Sequence, residues 1–285
     1  MSQPPITVAV QGEPGSNSAL AAAQQFGEVD ILPCHSFADL FKAVKSGKAP
    51  YGMAPVENSL GGSVYLVWEQ LERNPLPIAG ELYFHVRHCL IAHPGVRLEE
   101  IRYVYSHEQA LAQCQRYLNK LVWIDPENIT PAYDTAGAVK RVKARGKREE
   151  AAIASPQAAE IYHMAVLAED IQTDPRNHTR FLVLAHDTCV AGDEPGKTTL
   201  ILTLDDCAHT LPCLLANLTD RGIELFKIET RKKLSHPWEY WVYLECAGYA
   251  AATPLSEALK EIEKQVVEVR IVGSYSRTAG PESKK

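Results

Sequence analysis

Tyr51-Gly52-Met53-Ala54-Pro55-Val56, followed by Glu57-Asn58-Ser59-Leu60-Gly61-Gly62-Ser63, is the stretch on which the fold turns. The first six residues are small and apolar, as a buried strand requires, and the next seven make a polar, glycine-bearing loop. A helix is expected after it, over residues 64–73. The same cycle occurs twice upstream. Ile6-Thr7-Val8-Ala9-Val10 reads as a strand, Gln11-Gly12-Glu13-Pro14-Gly15 as its turn, and Ser16 or Asn17 as the cap of a helix running through Ala23. Asp30-Ile31-Leu32-Pro33 reads as a second strand. The next helix has apolar residues at Phe37, Leu40, Phe41 and Val44 and closes at Gly47. This alternation predicts a parallel, doubly wound α/β sheet. Ligands of such sheets sit beyond the carboxyl ends of strands, where both polar loops fall. Gly12-x-x-Gly15 lacks the full dinucleotide fingerprint, so an ordinary turn is the simpler reading there.

Residues 82–93 are β-patterned and carry His85, His88, His93 and Cys89. Histidine and cysteine are zinc ligands, but strand geometry sends His85 and His88 to opposite faces, which favours core or surface histidines. Arg102-Tyr103-Val104-Tyr105 reads as a strand, and Ser106 with Gln109 fits a capping box for a helix over 110–118. His107 at that helix start stands where a ligand could be faced. Asp134 or Thr135 caps another helix, whose basic end, Lys140 to Arg148, complements the helix dipole. Ala151-Ala152-Ile153-Ala154 is a strand, after which Ser155 caps a helix with Pro156 at its first position. The polar turn Gln172 to Arg176 then feeds Asn177-His178-Thr179-Arg180-Phe181 into an apolar strand. That junction sets a hydroxyl, a guanidinium fork suited to carboxylates and an aromatic ring side by side. On a regular strand Thr179 and Arg180 face opposite ways.

Beyond a linker at 187–198, strand 198–205, helix 209–221, strands 223–230 and 240–246, helix 256–267 and strand 268–273 spell βαββαβ, a ferredoxin-like module. Within the linker, Gly196-Lys197-Thr198 imitates a phosphate-binding loop. A strand rather than a helix is expected after it, and Asp193-Glu194 would repel phosphate. The tail after Arg277 is expected to be disordered.

At 285 residues the chain is long enough for two domains. A net charge of −6 argues against non-specific nucleic-acid binding, which depends on neutralising phosphates. No apolar run approaches the ~20 residues that span a bilayer, and the start of the chain has no basic and apolar secretory signal. Seven cysteines without a Cys-x-x-Cys pair fit reduced thiols and a cytoplasmic location, or a plastid if the source is a plant.

Six stretches occur together and in order: Val10 to Gly15, Val56 to Ser63, Ser106 to Cys114, Asp134-Thr135-Ala136, Ala151 to Ser155 and Asn177 to Phe181. With them the chain resembles the prephenate dehydratase family over nearly its whole length. The resemblance implies a catalytic domain at 5–187, with two α/β lobes of periplasmic-binding-protein type (about 5–80 plus 180–187, and about 81–179). It implies an ACT regulatory domain at 198–276, with 277–285 as a tail. The reaction implied is loss of water and carbon dioxide from prephenate to give phenylpyruvate, on the route to L-phenylalanine. No metal or organic cofactor is implied. Thr179 falls on the family's catalytic threonine and Arg180 on its substrate-binding arginine. Asn58, Ser59, Gly61, Gly62, Ser63, Ser106 and Phe181 fall at substrate-contacting positions. The likeness of Gln11-Gly12, Asn58 to Ser63 and His88-Cys89-Leu90 to plant arogenate dehydratases makes arogenate an alternative substrate. In the regulatory domain, Ala208-His209-Thr210-Leu211 stands where the family has Pro-Gly-Ala-Leu, and Glu229-Thr230-Arg231-Lys232 where it has Glu-Ser-Arg-Pro. A side chain at His209, where backbone should approach a ligand, predicts weak or absent phenylalanine inhibition. A homodimer or homotetramer is expected, with an amino acid as possible effector and no nucleic-acid or membrane partner. Two readings from other classes remain open. One is a non-catalytic two-lobed binding protein that senses an amino acid. The other is a zinc hydrolase using His85, His88 and His93.

Overall fold

The computed structural model describes residues 4–187, 195–233, 236 and 238–281. The Gly12–Gly15 turn, the loop at 57–63 and the caps at Ser16, Asp134 and Ser155 emerge where local chemistry puts them. The chain runs β1 (Ile6–Gln11), α1 (Asn17–Phe26), β2 (Val29–Cys34), α2 (Phe37–Lys45), β3 (Tyr51–Asn58), β4 (Gly62–Ser63), α3 (Tyr65–Arg73) and β5 (Ile78–His85). It continues through β6 (Cys89–Ala92), β7 (Tyr103–His107), α4 (Glu108–Gln113), α5 (Gln115–Leu118), β8 (Ile129–Ala132), α6 (Thr135–Arg145), β9 (Glu150–Ala154), α7 (Pro156–Ile161), β10 (Ala165–Ala168) and β11 (His178–Ala185). The remaining elements are β12 (Gly196–Leu204), α8 (Cys207–Thr219), β13 (Leu225–Lys232), β14 (Tyr240–Ala247), α9 (Leu255–Ile262) and β15 (Glu268–Ser276). By compactness, residues up to Trp68 with Leu82–Leu182 form one unit, and Glu69–Glu81 with Val183–Ala279 form a second.

The first unit holds two sheets. In one, β1 pairs in parallel with both β2 and β3, as the strand–helix alternation predicts, and β11 lies beyond β3. Ser16, Ser36, Asp134 and Ser155 each accept a first-turn amide as N-caps of α1, α2, α6 and α7. The other sheet has the order β10-β6-β9-β7-β8. Here the expectation of parallel sheets needs correction, because β6 runs antiparallel to β9 and β10. β6 is reached from β5, a strand of the other sheet, across only three residues, so no helical crossover within this sheet sets it parallel to its neighbours. This sheet is buried on both faces with a two-residue period. Leu90, Ala92, Ala151 and Ile153 pack into one core, and Cys89, Ile91, Ala152 and Ala154 into the other.

A second correction concerns residues 106–118. β7 extends through His107, so Ser106 is a strand residue and its hydroxyl donates to Ile153 O at 2.6 Å. His107 takes the cap position instead, accepting Gln109 N at 3.3 Å, and the expected single helix breaks at Cys114 into α4 and α5.

The second unit carries βαββαβ in the order β13-β14-β12-β15, antiparallel at every pairing. Leu200, Leu202, Val242 and Leu244 bury one sheet face under Leu214 and Leu218 of α8 and Ala258, Leu259 and Ile262 of α9. α8 starts two residues earlier than expected because Asp206 caps it. The phosphate-loop lookalike is resolved as read: Lys197 heads β12, buried, 2.8 Å from Glu81 and 3.0 Å from Glu245. The acidic pair Asp193-Glu194 lies outside the described residues.

Candidate functional site

A cleft of about 460 Å³ opens in the first unit between its two sheets. That volume is within the range of about 300–1,000 Å³ typical of small-molecule sites. Asn58 at the end of β3, and Thr179 and Phe181 on β11, supply one wall. His88, His107, Gln109 and Gln113 supply the other. The starts of α1, α2 and α6 also reach it, through Ser16 to Ser18, Ser36 and Thr135. Among the described residues no lysine or arginine lines the cleft, so positive potential there comes from helix N-termini and side-chain donors.

Asn58 is the hub, and its orientation is forced. Leu60 N and Gly61 N donate to its Oδ1 at 3.0 and 2.8 Å, so that atom is the carbonyl oxygen. The amide nitrogen therefore faces Asn177 Oδ1 at 2.8 Å, His178 O at 3.2 Å and Thr179 Oγ1 at 3.0 Å. Thr179 accepts that hydrogen bond, which leaves its own hydroxyl hydrogen to donate. Gln113, from α4, donates its Nε2 to Asn58 Oδ1 at 3.2 Å and accepts Asn177 Nδ2 at 2.8 Å. Asn177, Asn58 and Thr179 are all buried.

The pleat resolves the question of Thr179 and Arg180. Thr179 and Phe181 share the cleft side of β11, and Arg180 projects from the other side, buried and 3.3 Å from Glu57 Oε2. Phe181 packs edge-on against Phe84, with 6.4 Å between ring centroids. Ser59 stitches the 57–63 loop to the entry of β11: its hydroxyl donates to Arg176 O at 2.9 Å, and its N–H to His178 O at 2.8 Å. Ser59, Gly61, Gly62, Ser63 and Ser106 are outside the cleft lining. Gly61 lies against the Gln109 amide, which would have to move aside for a Cβ at that position.

The lobes also meet at the Gly12–Gly15 turn. Asp134 accepts Glu13 N at 2.9 Å, and its other oxygen accepts Gly137 N. Ser155 donates to Gly15 O at 2.9 Å and Tyr162 to Pro14 O at 3.2 Å. Burial, with the negative charges of Glu13 and Asp134 nearby, pushes the Tyr162 phenol up to about 12. Tyr133 is raised further by the same causes, so neither phenol titrates near neutrality.

The three histidines weighed as zinc ligands go to three separate partners: His85 to Pro175 O at 2.8 Å, His88 to Gln113 Oε1 at 2.9 Å and His93 to Val142 O at 3.1 Å. Among the described residues no three His, Cys, Asp or Glu side chains group as a metal site. Burial raises the thiols of Cys89 and Cys114, the latter to about 12, which makes both poor nucleophiles. No helix among the described residues is long and apolar enough to cross a membrane.

The positions expected to bind an effector have their own contacts. His209 sits in the first turn of α8, its ring 2.8 Å from Asp206 Oδ2, followed by Thr210 and Leu211. On β13, Glu229 pairs with Lys227 at 2.9 Å, and Arg231 reaches Glu69 at 3.4 Å, with Thr230 between them.

Sequence reasoning missed Gln113, Asn177 and His88 as parts of one network. Gln113 and Asn177 each stand inside a stretch that carries the family resemblance, but nothing in one dimension says that they meet.

Comparison with known proteins agrees with this architecture. The family model described as prephenate dehydratase matches residues 8–189. The arogenate dehydratase/prephenate dehydratase 2, chloroplastic, of Arabidopsis thaliana is 36% identical over 280 residues, covering 95% of this chain and 72% of that protein. The structure of GqqA, a quorum quenching acylase, has a TM-score of 0.86 at 30% identity, covering 95% of this chain and 98% of that one. The prephenate dehydratase of Arthrobacter aurescens in complex with L-Phe also has a TM-score of 0.86, at 28% identity, covering 95% and 90%. A model match over more than half the chain, with relatives alike over almost all of it, leads to one conclusion: this chain belongs to the prephenate dehydratase family.

Proposed function

We propose that the chain is a dehydratase that removes water and carbon dioxide from prephenate, with arogenate as the alternative substrate, in L-phenylalanine formation. The observation that carries this reading is the Asn58 amide donating to Thr179 Oγ1 at 3.0 Å on the cleft wall. In the reaction the ring carboxylate leaves as carbon dioxide, and its bonding electrons enter the ring. Aromatisation expels the ring hydroxyl, which takes up one proton and departs as water. Thr179, with its lone pair already engaged, donates its hydrogen bond to that oxygen as the C–O bond breaks. Helix N-termini around the cleft favour the substrate's two carboxylates. Phe181 offers a ring face of the right chemistry for the cyclohexadiene.

We assign Arg180 a bracing role through Glu57, with the substrate held by neutral donors instead. Residues 5–187 form the catalytic domain in this reading, and 198–276 an ACT-type regulatory domain whose His209 region is poorly suited to phenylalanine. The deciding experiment offers prephenate and arogenate separately to the wild-type protein and to Thr179→Ala, following phenylpyruvate by absorbance and phenylalanine by chromatography. The expected result is turnover of at least one compound by wild type, and loss of turnover with binding largely retained in the variant. Wild-type inactivity on both compounds sinks the reading.

A further inference from the structure

The amide network behind Thr179 ends on a histidine, and its polarity can be followed atom by atom. Leu60 N and Gly61 N fix Asn58 Oδ1 as an acceptor, so Gln113 must present its nitrogen to that atom and its oxygen to the far side. There Gln113 Oε1 receives Asn177 Nδ2 and lies 2.9 Å from His88 Nε2. An acceptor facing Nε2 requires the imidazole proton to sit on Nε2. His88 Nδ1 is buried without a hydrogen-bond partner among the described residues, so a second proton there would be an unpaired donor in the interior. Burial accordingly lowers the basicity of His88, offset only in part by its bond to Gln113. The main chain holds the ring in register, with His88 N donating to Gln172 Oε1 at 2.9 Å.

We propose that His88 is a positioning residue for the dehydration: a neutral imidazole in its Nε2–H form that locks the Gln113 carboxamide, whose bond to Asn58 Oδ1 adds to those of Leu60 N and Gly61 N and strengthens the hydrogen bond that Thr179 accepts. The chain of donors runs His88 to Gln113, Gln113 to Asn58, Asn58 to Thr179 and Thr179 to the departing oxygen. Each hydrogen bond polarises the next. A Gln113 carboxamide turned over would set its oxygen against Asn58 Oδ1 and its nitrogen against the Asn177 and His88 donors. His88 supplies the second of the two donors that forbid this. The inference rests on the dehydratase reading, and it concerns orientation rather than substrate contact.

The test has a kinetic arm and a spectroscopic arm. His88→Leu keeps an apolar body of similar size and removes the donor. The expected effect is a fall in kcat of about 10- to 100-fold with KM within about threefold, the signature of one lost hydrogen bond in a buried array. His88→Gln retains an N–H donor and is expected to restore kcat to within about fivefold of wild type. In wild-type protein carrying nitrogen-15 histidine, His88 is expected to show a protonated Nε2 and a bare Nδ1 across neutral pH. A proton on Nδ1, or an unchanged kcat in His88→Leu, overturns the proposal. So does a folded His88→Gln protein as impaired as His88→Leu. Should His88→Leu fail to fold, the spectrum and His88→Gln decide between the same outcomes. Wild type inactive on both substrates counts against the dehydratase reading itself, whereas active wild type with unchanged His88→Leu kinetics removes only the positioning role.

Discussion

Asn58→Asp is the substitution that presses hardest on this site, because it changes one donor into an acceptor and almost nothing in shape. The oxygen that accepts Leu60 N and Gly61 N is retained, so the 57–63 loop keeps its anchor. The introduced oxygen, however, meets Asn177 Oδ1 at 2.8 Å, His178 O at 3.2 Å and Thr179 Oγ1 at 3.0 Å, all of which were accepting. Thr179 can relieve the repulsion by turning its hydroxyl hydrogen onto the new carboxyl, which withdraws it from the substrate. Loss of one preorganised donor lowers kcat by about 10²–10³, or roughly 3–4 kcal/mol of barrier. The negative charge also opposes a dianionic substrate, so KM rises. Asn177 Oδ1 is left unsatisfied, whereas His178 O keeps Ser59 N, and this costs about 1–3 kcal/mol of stability, read as a fall in Tm of about 2–4 °C for each kcal/mol. A carboxyl buried among acceptors has a raised pKa, so lower pH protonates it and returns a donor. Steady-state kinetics across pH, with thermal melts alongside, therefore has a distinctive expected form. The variant's kcat relative to wild type increases as pH falls. A kcat within threefold of wild type at every pH would refute the idea that Asn58 polarity sets the threonine hydroxyl.

Arg180→Gln separates bracing from substrate binding: a fall in stability of about 1–3 kcal/mol is expected, with KM changed less than about threefold, whereas a large KM increase at unchanged Tm would place the guanidinium on the substrate. Glu72 gives a pH prediction. Burial, only partly offset by Arg231, raises its carboxyl from an ordinary 4.5 to about 7, and neither oxygen has a hydrogen-bond partner among the described residues. The folded state then binds a proton that the unfolded state has released, so stability is full below about pH 4.5 and is lost as pH rises through about 7. At about 1.4 kcal/mol per pH unit the ceiling is ~3 kcal/mol. Glu72→Gln should flatten that decline in a denaturant titration repeated from pH 5 to 8, and an unchanged slope would count against it.

What could be read from the sequence was what neighbours in the chain decide. Ser16, Asp134 and Ser155 cap their helices because each needs only an amide three residues on. Lys197 was legible as a strand residue because the alternation after it is local. Ser106 was misread as a cap for the opposite reason: its hydroxyl goes to Ile153 O, 47 residues away. The antiparallel setting of β6 was hidden in the same way, since the β-pattern of residues 82–93 names no partners. Thr179 could be picked out, and the pleat warned that Arg180 faces elsewhere, but its partner Glu57 was not legible. Gln113, Asn177 and His88 look like ordinary polar residues in sequence; only their convergence on Asn58 in three dimensions gives them a shared task.

Asn58 and Gln113 belong to different lobes, one leaving the sheet of β1 and β3, the other carried on α4 beside β7. Any separation of the two lobes would pull these two amides apart, together with the ties at Gly12–Gly15. Thr179 would keep its Asn58 partner through such a separation, because β3 and β11 are neighbours in one sheet and Leu60 N and Gly61 N hold the amide; what would be lost is the Gln113 bond to Asn58 Oδ1.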